Sequence, residues 1–215
     1  MAEVYQAYQV RLKAANAMDF DDLLINMNAL MEQDVEVRDK YQQAFQYVLV
    51  DEYQDTNYVQ YLLVKHLAEP QNRICVVGDD AQSIYSFRGA DIRNILGFQR
   101  DYPHSHLYKM ERNYRSTQTI VNAANSLIHH NEHQIPKEVY SEKEEGQRID
   151  LNAYMSDRDE GEAVAKAISK DHTLLRRDYN DMAILYRTNA QSRAFENELR
   201  KRNIPYRIYG GTSFY

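Results

Sequence analysis

Two short apolar runs, VLVDE at residues 48–52 and ICVVGD at 74–79, constrain the fold of this chain most strongly. Each run has the length and composition of a buried strand and ends in acidic residues. Between them, residues 57–68 carry apolar side chains at helical spacing, which predicts a helix. Strands that alternate with helices form a parallel sheet with helices on its faces. The expected fold class is therefore α/β, with parallel sheets flanked by helices.

The same alternation of patterns continues on both sides of this unit. Amphipathic spacing and cap residues predict further helices over 3–17, 19–32, 35–46, from a cap at Ser116 or Thr117 to about 129, and over 158–170 and 190–203. Short apolar runs are strand candidates at 105–110, 149–154, 182–186 and 206–210. The polar stretch 130–148 is expected to be a loop.

Charge divides the chain near residue 111. Residues 1–110 carry 10 Lys and Arg against 16 Asp and Glu, a net charge of −6, whereas residues 111–215 are balanced at 16 against 16. A chain of 215 residues suffices for two small domains. The sequence therefore predicts one domain over 1–110 and a second over 111–215.

Composition excludes several classes of protein. A single cysteine, Cys75, rules out a disulfide scaffold and a cysteine-based zinc site. No apolar run approaches the ~20 residues that a membrane span needs, and the amphipathic N-terminus is too polar for a secretory signal. The expected location is the cytoplasm, without a membrane partner. The net charge of −6 argues weakly against a simple nucleic-acid coat.

The adjacent acids Asp51 and Glu52 follow the first apolar run directly. Functional groups collect at the carboxyl ends of strands in open parallel sheets. One acid at such a place can hold Mg²⁺ through its water shell while the other activates an attacking water. The alternative is a solvated strand end that happens to carry two acids.

The second apolar run leads into the segment VVGDDAQSIYSFRGA at 76–90. Gln82 lies just past the strand end, where its amide can bond a phosphate or a water without adding charge. Tyr85 and Phe87 alternate beside Arg88, an arrangement in which rings stack on bases and the guanidinium takes a phosphate. The alternative places both rings in the core and makes Arg88 an ordinary surface cation.

Two further segments join arginines to predicted helix starts. Tyr114 and Arg115 precede the cap at Ser116 or Thr117, so that the guanidinium is a candidate arginine finger for a γ-phosphate. Arg187, Asn189 and Arg193 surround the start of the 190–203 helix and are candidates for contacts with a phosphate backbone. An ordinary salt-bridged cap region and a solvated helix start are the alternatives.

Together these segments resemble the superfamily 1 DNA helicases of the UvrD, Rep and PcrA type. The matching segments follow the family's order and spacing along almost the whole chain: ANAMDFDDLL at 15–24, VLVDEYQDTN at 48–57, VVGDDAQSIYSFRGADIRNIL at 76–96, ERNYRST at 111–117, AILYRTNAQSR at 183–193 and IPYRIYGGTSFY at 204–215. The resemblance implies RecA-like P-loop NTPase lobes. ATP would bind in the cleft between two lobes, and single-stranded DNA would cross their top.

The resemblance also implies roles in ATP hydrolysis for individual residues. Asp51 matches the magnesium-site acid, Glu52 the acid that activates water, and Gln82 the glutamine that senses the γ-phosphate. Tyr114 matches a residue that packs near the adenine, and Arg115 one that reaches the γ-phosphate. ATP and Mg²⁺ are the implied cofactors.

Contacts with DNA follow from the same resemblance. Tyr85 and Phe87 match aromatic residues that stack on or flank bases, although many relatives have Trp in place of Phe87. Arg187 and Asn189 fall where the second lobe touches the DNA backbone. The implied partners are single-stranded and partial-duplex DNA, and the family translocates 3′ to 5′.

The chain lacks one motif that the family needs, the GxxxxGK[ST] loop that wraps the phosphates. The expectation is therefore a central fragment that covers the back of one lobe and the front of the other. The missing parts would lie upstream of Met1 and downstream of Tyr215, and the fragment alone would be inactive. A motor subunit of a helicase–nuclease and a non-enzymatic piece that binds DNA or a partner protein remain alternatives.

Overall fold

The computed structural model describes residues 2–209 of the chain. These residues divide into two compact units, with the boundary between Gln147 and Arg148. Residues 111–147, which the charge pattern assigns to a second domain, thus lie in the first compact unit. The division at 110/111 into two motor lobes stays a prediction.

Three helices open the first unit: α1 (Ala2–Ala14), α2 (Phe20–Gln33) and α3 (Val35–Ala44). Aspartates set the starts of the latter two. The Asp19 carboxylate accepts a hydrogen bond from the Asp22 backbone N–H at 2.8 Å, and Asp34 accepts one from Val37 at 3.0 Å. Each bond satisfies an N–H that has no partner inside the helix. The three N-terminal helices predicted from sequence are therefore confirmed.

The centre of the first unit is a strand–helix–strand element. Strand β1 (Val48–Val50) pairs in parallel with β2 (Ile74–Val76), in the register Val48 with Ile74 and Val50 with Val76. Helix α4 (Tyr58–Ala68) connects them and begins at Asn57, which forms a reciprocal capping box with Gln60. The predicted parallel arrangement is confirmed, but the predicted burial of the strands is wrong, because Leu49 is 76% exposed and Cys75 is also exposed.

Two short helices, α5 (Arg93–Leu96) and α6 (Phe98–Asp101), follow the second strand. The fully buried Tyr53 meets Phe98 edge-on with ring centroids 5.9 Å apart, and Phe98 lies 4.8 Å from the ring of Tyr102. Burial raises the pKa of the Tyr102 phenol to about 12. This aromatic group anchors the segment after β1 against the segment after β2.

The first unit ends with helix α7 (Gln118–Ile128) and the loop that follows it. The loop returns alongside the chain before α7: the Asn113 N–H donates to the Tyr140 carbonyl at 2.7 Å, and the Tyr140 N–H donates to the Glu111 carbonyl at 2.9 Å. The predicted helix and the predicted loop at 130–148 are both confirmed, and backbone hydrogen bonds hold part of that loop.

The second unit pairs helix α8 (Asp157–Leu175) with helix α9 (Ser192–Lys201). Its buried core consists of Ala165, Leu199 and Ile204. Gly161 permits the close approach of the helices, since a Cβ there would lie 2.9 Å from the Ala194 carbonyl oxygen. Both helices were predicted.

The additional strands predicted from sequence are wrong in the described part of the chain. Residues 105–110, 149–154 and 182–186 form no strand, nor do 206–209, while residue 210 lies outside the described range. A strand needs a neighbour for its backbone N–H and C=O groups, and these runs find none among residues 2–209. Several of their apolar side chains are exposed, as Leu185 is at 93%, whereas Ile184 packs against the core of the second unit. Among the helices of residues 2–209, none is long and apolar enough to cross a membrane.

Candidate functional site

The candidate site of the first unit forms where β1 and β2 end. Asp51 and Glu52 follow β1 and are exposed. The Asp51 carboxylate accepts a hydrogen bond from the Glu52 backbone N–H at 2.9 Å, and Glu52 adopts a left-handed conformation with φ of 51°. This conformation is uncommon for a residue with a side chain and often occurs at functional sites. The turn thus presents two carboxylates to solvent at the end of the strand.

Gln54, which the sequence analysis did not single out, joins the two strand ends. Its side chain is fully buried, with 1% of the residue exposed. The amide nitrogen donates to Glu52 Oε2 at 2.8 Å, and the amide oxygen accepts from the Asp79 backbone N–H at 3.0 Å. A buried amide that bonds at both ends fixes both partners. No local pattern marks Gln54, because its second partner lies 25 residues away.

Gly78 allows this packing. A Cβ at position 78 would lie 2.6 Å from Gln54 Oε1, 2.9 Å from Ile95 Cδ1 and 3.2 Å from the Tyr53 nitrogen. These distances are shorter than van der Waals contact, and the atoms they involve belong to a packed region.

Replacing Gly78 with Ala is expected to destabilise the chain by about 1–3 kcal/mol, the usual cost of overpacking. Urea unfolding followed by circular dichroism measures the change. The matched control is Gly78→Ala in a Gln54→Ala background, where the nearest clash is gone and the added cost should fall. An equal cost in both backgrounds would contradict the proposed clash with Gln54.

Gln82 lies in a single turn of 3-10 helix, Asp80–Gln82, that begins at Asp79. Asp79 accepts hydrogen bonds from the Ala81 backbone N–H at 3.1 Å and from the Gln82 side-chain amide at 2.8 Å. Hydrogen bonds therefore run continuously from Glu52 through Gln54 and Asp79 to Gln82. The structure brings together the acids after β1 and the glutamine after β2.

Lys137, in the loop after α7, forms ion pairs with both aspartates of this turn. Its ammonium donates to Asp79 Oδ1 at 2.5 Å and to Asp80 Oδ1 at 2.6 Å. Burial opposes ionisation of Asp79, but the hydrogen bonds from Lys137 and Gln82 outweigh it and hold the pKa of Asp79 below its usual range. Burial likewise lowers the pKa of Lys137, and its bonds to the two carboxylates reverse this and raise that pKa. Both groups are ionised at neutral pH.

Tyr85, Phe87 and Arg88 form an exposed cluster further along the same segment. The two rings lie 5.9 Å apart, and the Arg88 guanidinium lies 5.4 Å from the Tyr85 ring and 5.5 Å from the Phe87 ring. Phe87 is 68% exposed, so the alternative in which it is a core residue does not hold. The arrangement offers π-faces on which bases can stack, beside a positive charge that can bind a backbone phosphate.

Backbone hydrogen bonds anchor this cluster to the segment after β1. Asn57 and Ala90 form an antiparallel bridge, and the Asp91 N–H donates to the Thr56 carbonyl at 3.0 Å. The buried Asn94 amide donates to the same carbonyl at 3.0 Å. The cluster is therefore held relative to the acids of the same unit, although its rings are in solvent.

Tyr114 and Arg115 lie in a turn that Asn113 organises. The Asn113 side-chain oxygen accepts from the Arg115 N–H at 2.9 Å and from the Ser116 N–H at 2.7 Å. Thr117 is the N-cap residue of α7, which confirms the predicted position of the cap, although its side chain makes no capping hydrogen bond. Both Tyr114 and Arg115 are exposed. The Arg115 guanidinium forms no hydrogen bond or ion pair within residues 2–209.

Arg187 and Asn189 belong to the second unit. Both are exposed, and Asn189 opens a single turn, Asn189–Gln191, that leads into α9. The Gln191 side-chain oxygen accepts a hydrogen bond from the Thr188 backbone N–H at 2.9 Å, and the Asn189 carbonyl accepts one from the Ser192 hydroxyl at 2.8 Å. The predicted strand-to-helix transition is here a loop-to-helix transition.

Among the described residues, no group of three or more His, Cys, Asp or Glu side chains is placed to hold a metal ion. Mg²⁺ does not require one, because it usually keeps several waters and binds one or two carboxylates plus substrate phosphates. Asp51 fits such a site because it is exposed at the strand end. Its Oδ1 accepts the hydrogen bond from the Glu52 N–H, while Oδ2 has no partner within residues 2–209 and is available to a metal ion or its water.

Comparison with known proteins gives a consistent result over the whole chain. Residues 1–103 match the family model of the UvrD/REP helicase N-terminal domain, and residues 108–215 match that of the UvrD-like helicase C-terminal domain. The proteins named ATP-dependent DNA helicase PcrA from Staphylococcus aureus and Staphylococcus epidermidis are each 50% identical to this chain over 215 residues. The match covers 100% of this chain and 29% of each relative. The domains of this family are RecA-like α/β folds, which confirms the predicted fold class. The chain belongs to the UvrD/Rep/PcrA-type helicase family.

Proposed function

We propose that this chain is the central part of an ATP-dependent DNA helicase. The helicase would couple ATP hydrolysis to 3′-to-5′ movement along single-stranded DNA and to the unwinding of partial duplexes, in the cytoplasm. The observation that carries the proposal is the series of hydrogen bonds that links Glu52 to Gln82. The chain segment that carries Gln82 leads directly into the exposed cluster of Tyr85, Phe87 and Arg88. One continuous structure thus joins groups suited to phosphate chemistry to groups suited to DNA.

Each residue at the strand ends has a role in hydrolysis under this proposal. Asp51 would hold Mg²⁺, which neutralises charge on the phosphates when bound. Glu52 takes a proton from the attacking water, and Gln54 keeps its carboxylate in place. Gln82 hydrogen-bonds the γ-phosphate or that water. Tyr114 packs near the adenine, and Arg115 stabilises charge that develops on the γ-phosphate.

The DNA contacts divide between stacking and backbone binding. Tyr85 and Phe87 stack on bases, and Arg88 takes a phosphate beside them. Arg187 and Asn189 contact the DNA backbone from the start of α9. Because the Gln82 turn and the aromatic cluster lie on one segment, a displacement of Gln82 on hydrolysis is transmitted to the stacked bases.

The experiment that tests the proposal is a chimaera in which this chain replaces the matched segment of the S. aureus helicase. The chimaera is expected to hydrolyse ATP with stimulation by single-stranded DNA and to unwind a partial duplex with a 3′ tail. Glu52→Gln is the inactive control. A folded chimaera with no ATP turnover, or one that unwinds only substrates with a 5′ tail, would contradict the proposal.

The 215-residue chain by itself is expected to show no ATP turnover, with or without single-stranded DNA. It contains no GxxxxGK[ST] loop, so no such backbone and lysine hold the β- and γ-phosphates, and positioning is most of phosphoryl-transfer catalysis. A coupled ATPase assay measures this directly. DNA-stimulated turnover that Glu52→Gln abolishes would show the expectation to be wrong.

A further inference from the structure

Lys137 makes the ion pairs that surround the Gln82 turn. Only 20% of its side chain is exposed, and its ammonium lies between Asp79 and the buried side chain of Asp80. Asp80 Oδ2 in turn accepts the backbone N–H of Ile135 at 2.7 Å. Both the lysine side chain and the backbone of its loop therefore bond to the aspartates of the turn.

Asp79 determines which way the Gln82 amide faces. An ionised carboxylate only accepts hydrogen bonds, so Gln82 must turn its NH₂ group toward Asp79 Oδ2. The Gln82 carbonyl oxygen and one remaining N–H then point away from Asp79. This orientation leaves one acceptor for a water and one donor for a phosphate oxygen.

Ionised Asp79 depends on a neighbouring cation, because burial disfavours its charged form and the hydrogen bond from Lys137 is the foremost contribution that opposes this. A proton on Asp79 would let that carboxyl donate a hydrogen bond, and the Gln82 amide could then bind it in either orientation. The Lys137 ammonium removes this ambiguity by compensating both carboxylates.

We infer that Lys137 is a positioning residue for the ATPase site: by holding Asp79 and Asp80 it fixes the orientation of the Gln82 amide. This inference rests on the proposed role of Gln82 in ATP hydrolysis. Lys137 belongs to the part of the chain that matches the C-terminal domain of the family, whereas Gln82 belongs to the part that matches the N-terminal domain. The ion pairs thus connect the two sequence domains at a catalytic glutamine.

The first test is made on the 215-residue chain and does not depend on ATPase activity. Nuclear magnetic resonance follows the side-chain NH₂ signal of Gln82, which is assigned by its loss in Gln82→Ala. Lys137→Met should move this signal to the position of a solvent-exposed glutamine, and Lys137→Arg should retain it. An unchanged signal in Lys137→Met overturns the inference.

Lys137→Met leaves the buried Asp80 carboxylate without its cation and can prevent folding. The double variant Lys137→Met/Asp80→Asn removes the unpaired charge at that position and keeps the test decisive. Asp80→Asn alone retains the bond from Lys137 to Asp79, so its Gln82 signal should stay at the wild-type position. The same displaced signal in Asp80→Asn would show that Asp80, and not the Lys137–Asp79 pair, sets the amide, and would overturn the inference.

The second test is kinetic and uses the chimaera. Lys137→Met should lower kcat by about 10- to 100-fold, the effect of a misplaced catalytic group, with KM for ATP and affinity for single-stranded DNA changed by less than about 3-fold. Asp79→Asn should have the same effect, and the combined variant Lys137→Met/Asp79→Asn should lose no more activity than either single variant. Lys166→Met is the matched control, because that lysine pairs with Glu162 on α8 and does not contact the turn.

The outcomes separate this inference from the proposed function. If the wild-type chimaera hydrolyses ATP but Lys137→Met retains full kcat, the proposed function stands and the inference is overturned. If the wild-type chimaera is folded and inactive, the proposed function fails, while the Gln82 signal still reports whether Lys137 sets the amide. A rise in KM and a fall in kcat, together with a large loss of melting temperature that Lys137→Arg does not rescue, would indicate a merely structural lysine and also overturn the inference.

Discussion

Replacing Arg115 with Ala in the chimaera is expected to lower DNA-stimulated ATP turnover by about 10³-fold or more. Affinity for single-stranded DNA should stay within a few fold of wild type. The Arg115 guanidinium is exposed and has no partner within residues 2–209, while hydrogen bonds to Asn113 and Lys143 hold its backbone. An arginine with a fixed backbone and an uncommitted side chain is suited to meet charge that appears only during phosphoryl transfer.

The controls for this variant distinguish the loss of the Arg115 guanidinium from the loss of a positive charge in general. Arg100→Ala also removes an exposed cation, one that pairs with the neighbouring Asp101, and should leave turnover unchanged. Arg115→Lys retains the charge but not the planar, five-donor guanidinium, and should recover only part of the lost activity. A steady-state ATPase titration with single-stranded DNA measures both kcat and the DNA concentration at half-stimulation. Full turnover in Arg115→Ala, or a parallel loss in Arg100→Ala, would contradict the role of Arg115.

The local signals in the sequence suffice for the seven longer helices and for the parallel pair of strands, but not for the short helices α5 and α6. Apolar runs at 48–52 and 74–79 flank a helical pattern, and all three elements form where they are predicted. The strand candidates at 149–154 and 182–186 carry equally good apolar runs and form no strand. Pairing is a tertiary property: an apolar run makes a strand only where another backbone accepts its hydrogen bonds.

The candidate site, like the fold, could be predicted only in part from local sequence signals. The rule that functional groups gather at the ends of parallel strands places Asp51, Glu52 and Gln82 correctly in one region. It does not find the residues that hold them there. Gln54 bonds Asp79 across 25 positions of sequence, and Lys137 reaches Asp79 across 58. Such partners have no local pattern, so only the folded chain identifies them.

The last prediction concerns Phe87. In the chimaera, Phe87→Ala is expected to weaken single-stranded DNA binding by about 5- to 150-fold, the equivalent of the roughly 1–3 kcal/mol that one stacked base contributes. Basal ATP turnover should persist, because Phe87 lies five residues past Gln82 and takes no part in the hydrogen bonds between Glu52 and Gln82. Fluorescence anisotropy of a labelled oligonucleotide measures the affinity, and Phe87→Trp, with a larger π-face, should bind at least as tightly as wild type.

Thermal melting distinguishes stacking on DNA from support of the fold. Phe87 is 68% exposed, and its ring lies against the Tyr85 ring and the Arg88 guanidinium, so its removal should cost less than about 1 kcal/mol of stability. Phe98→Ala is the matched comparison, because that ring packs against Tyr53 and Tyr102 and its loss should lower the melting temperature sharply. If Phe87→Ala melts as early as Phe98→Ala and loses DNA affinity only in proportion to unfolding, Phe87 supports the fold and does not stack on DNA. If it melts like wild type and binds DNA weakly, the exposed ring acts on the nucleic acid itself.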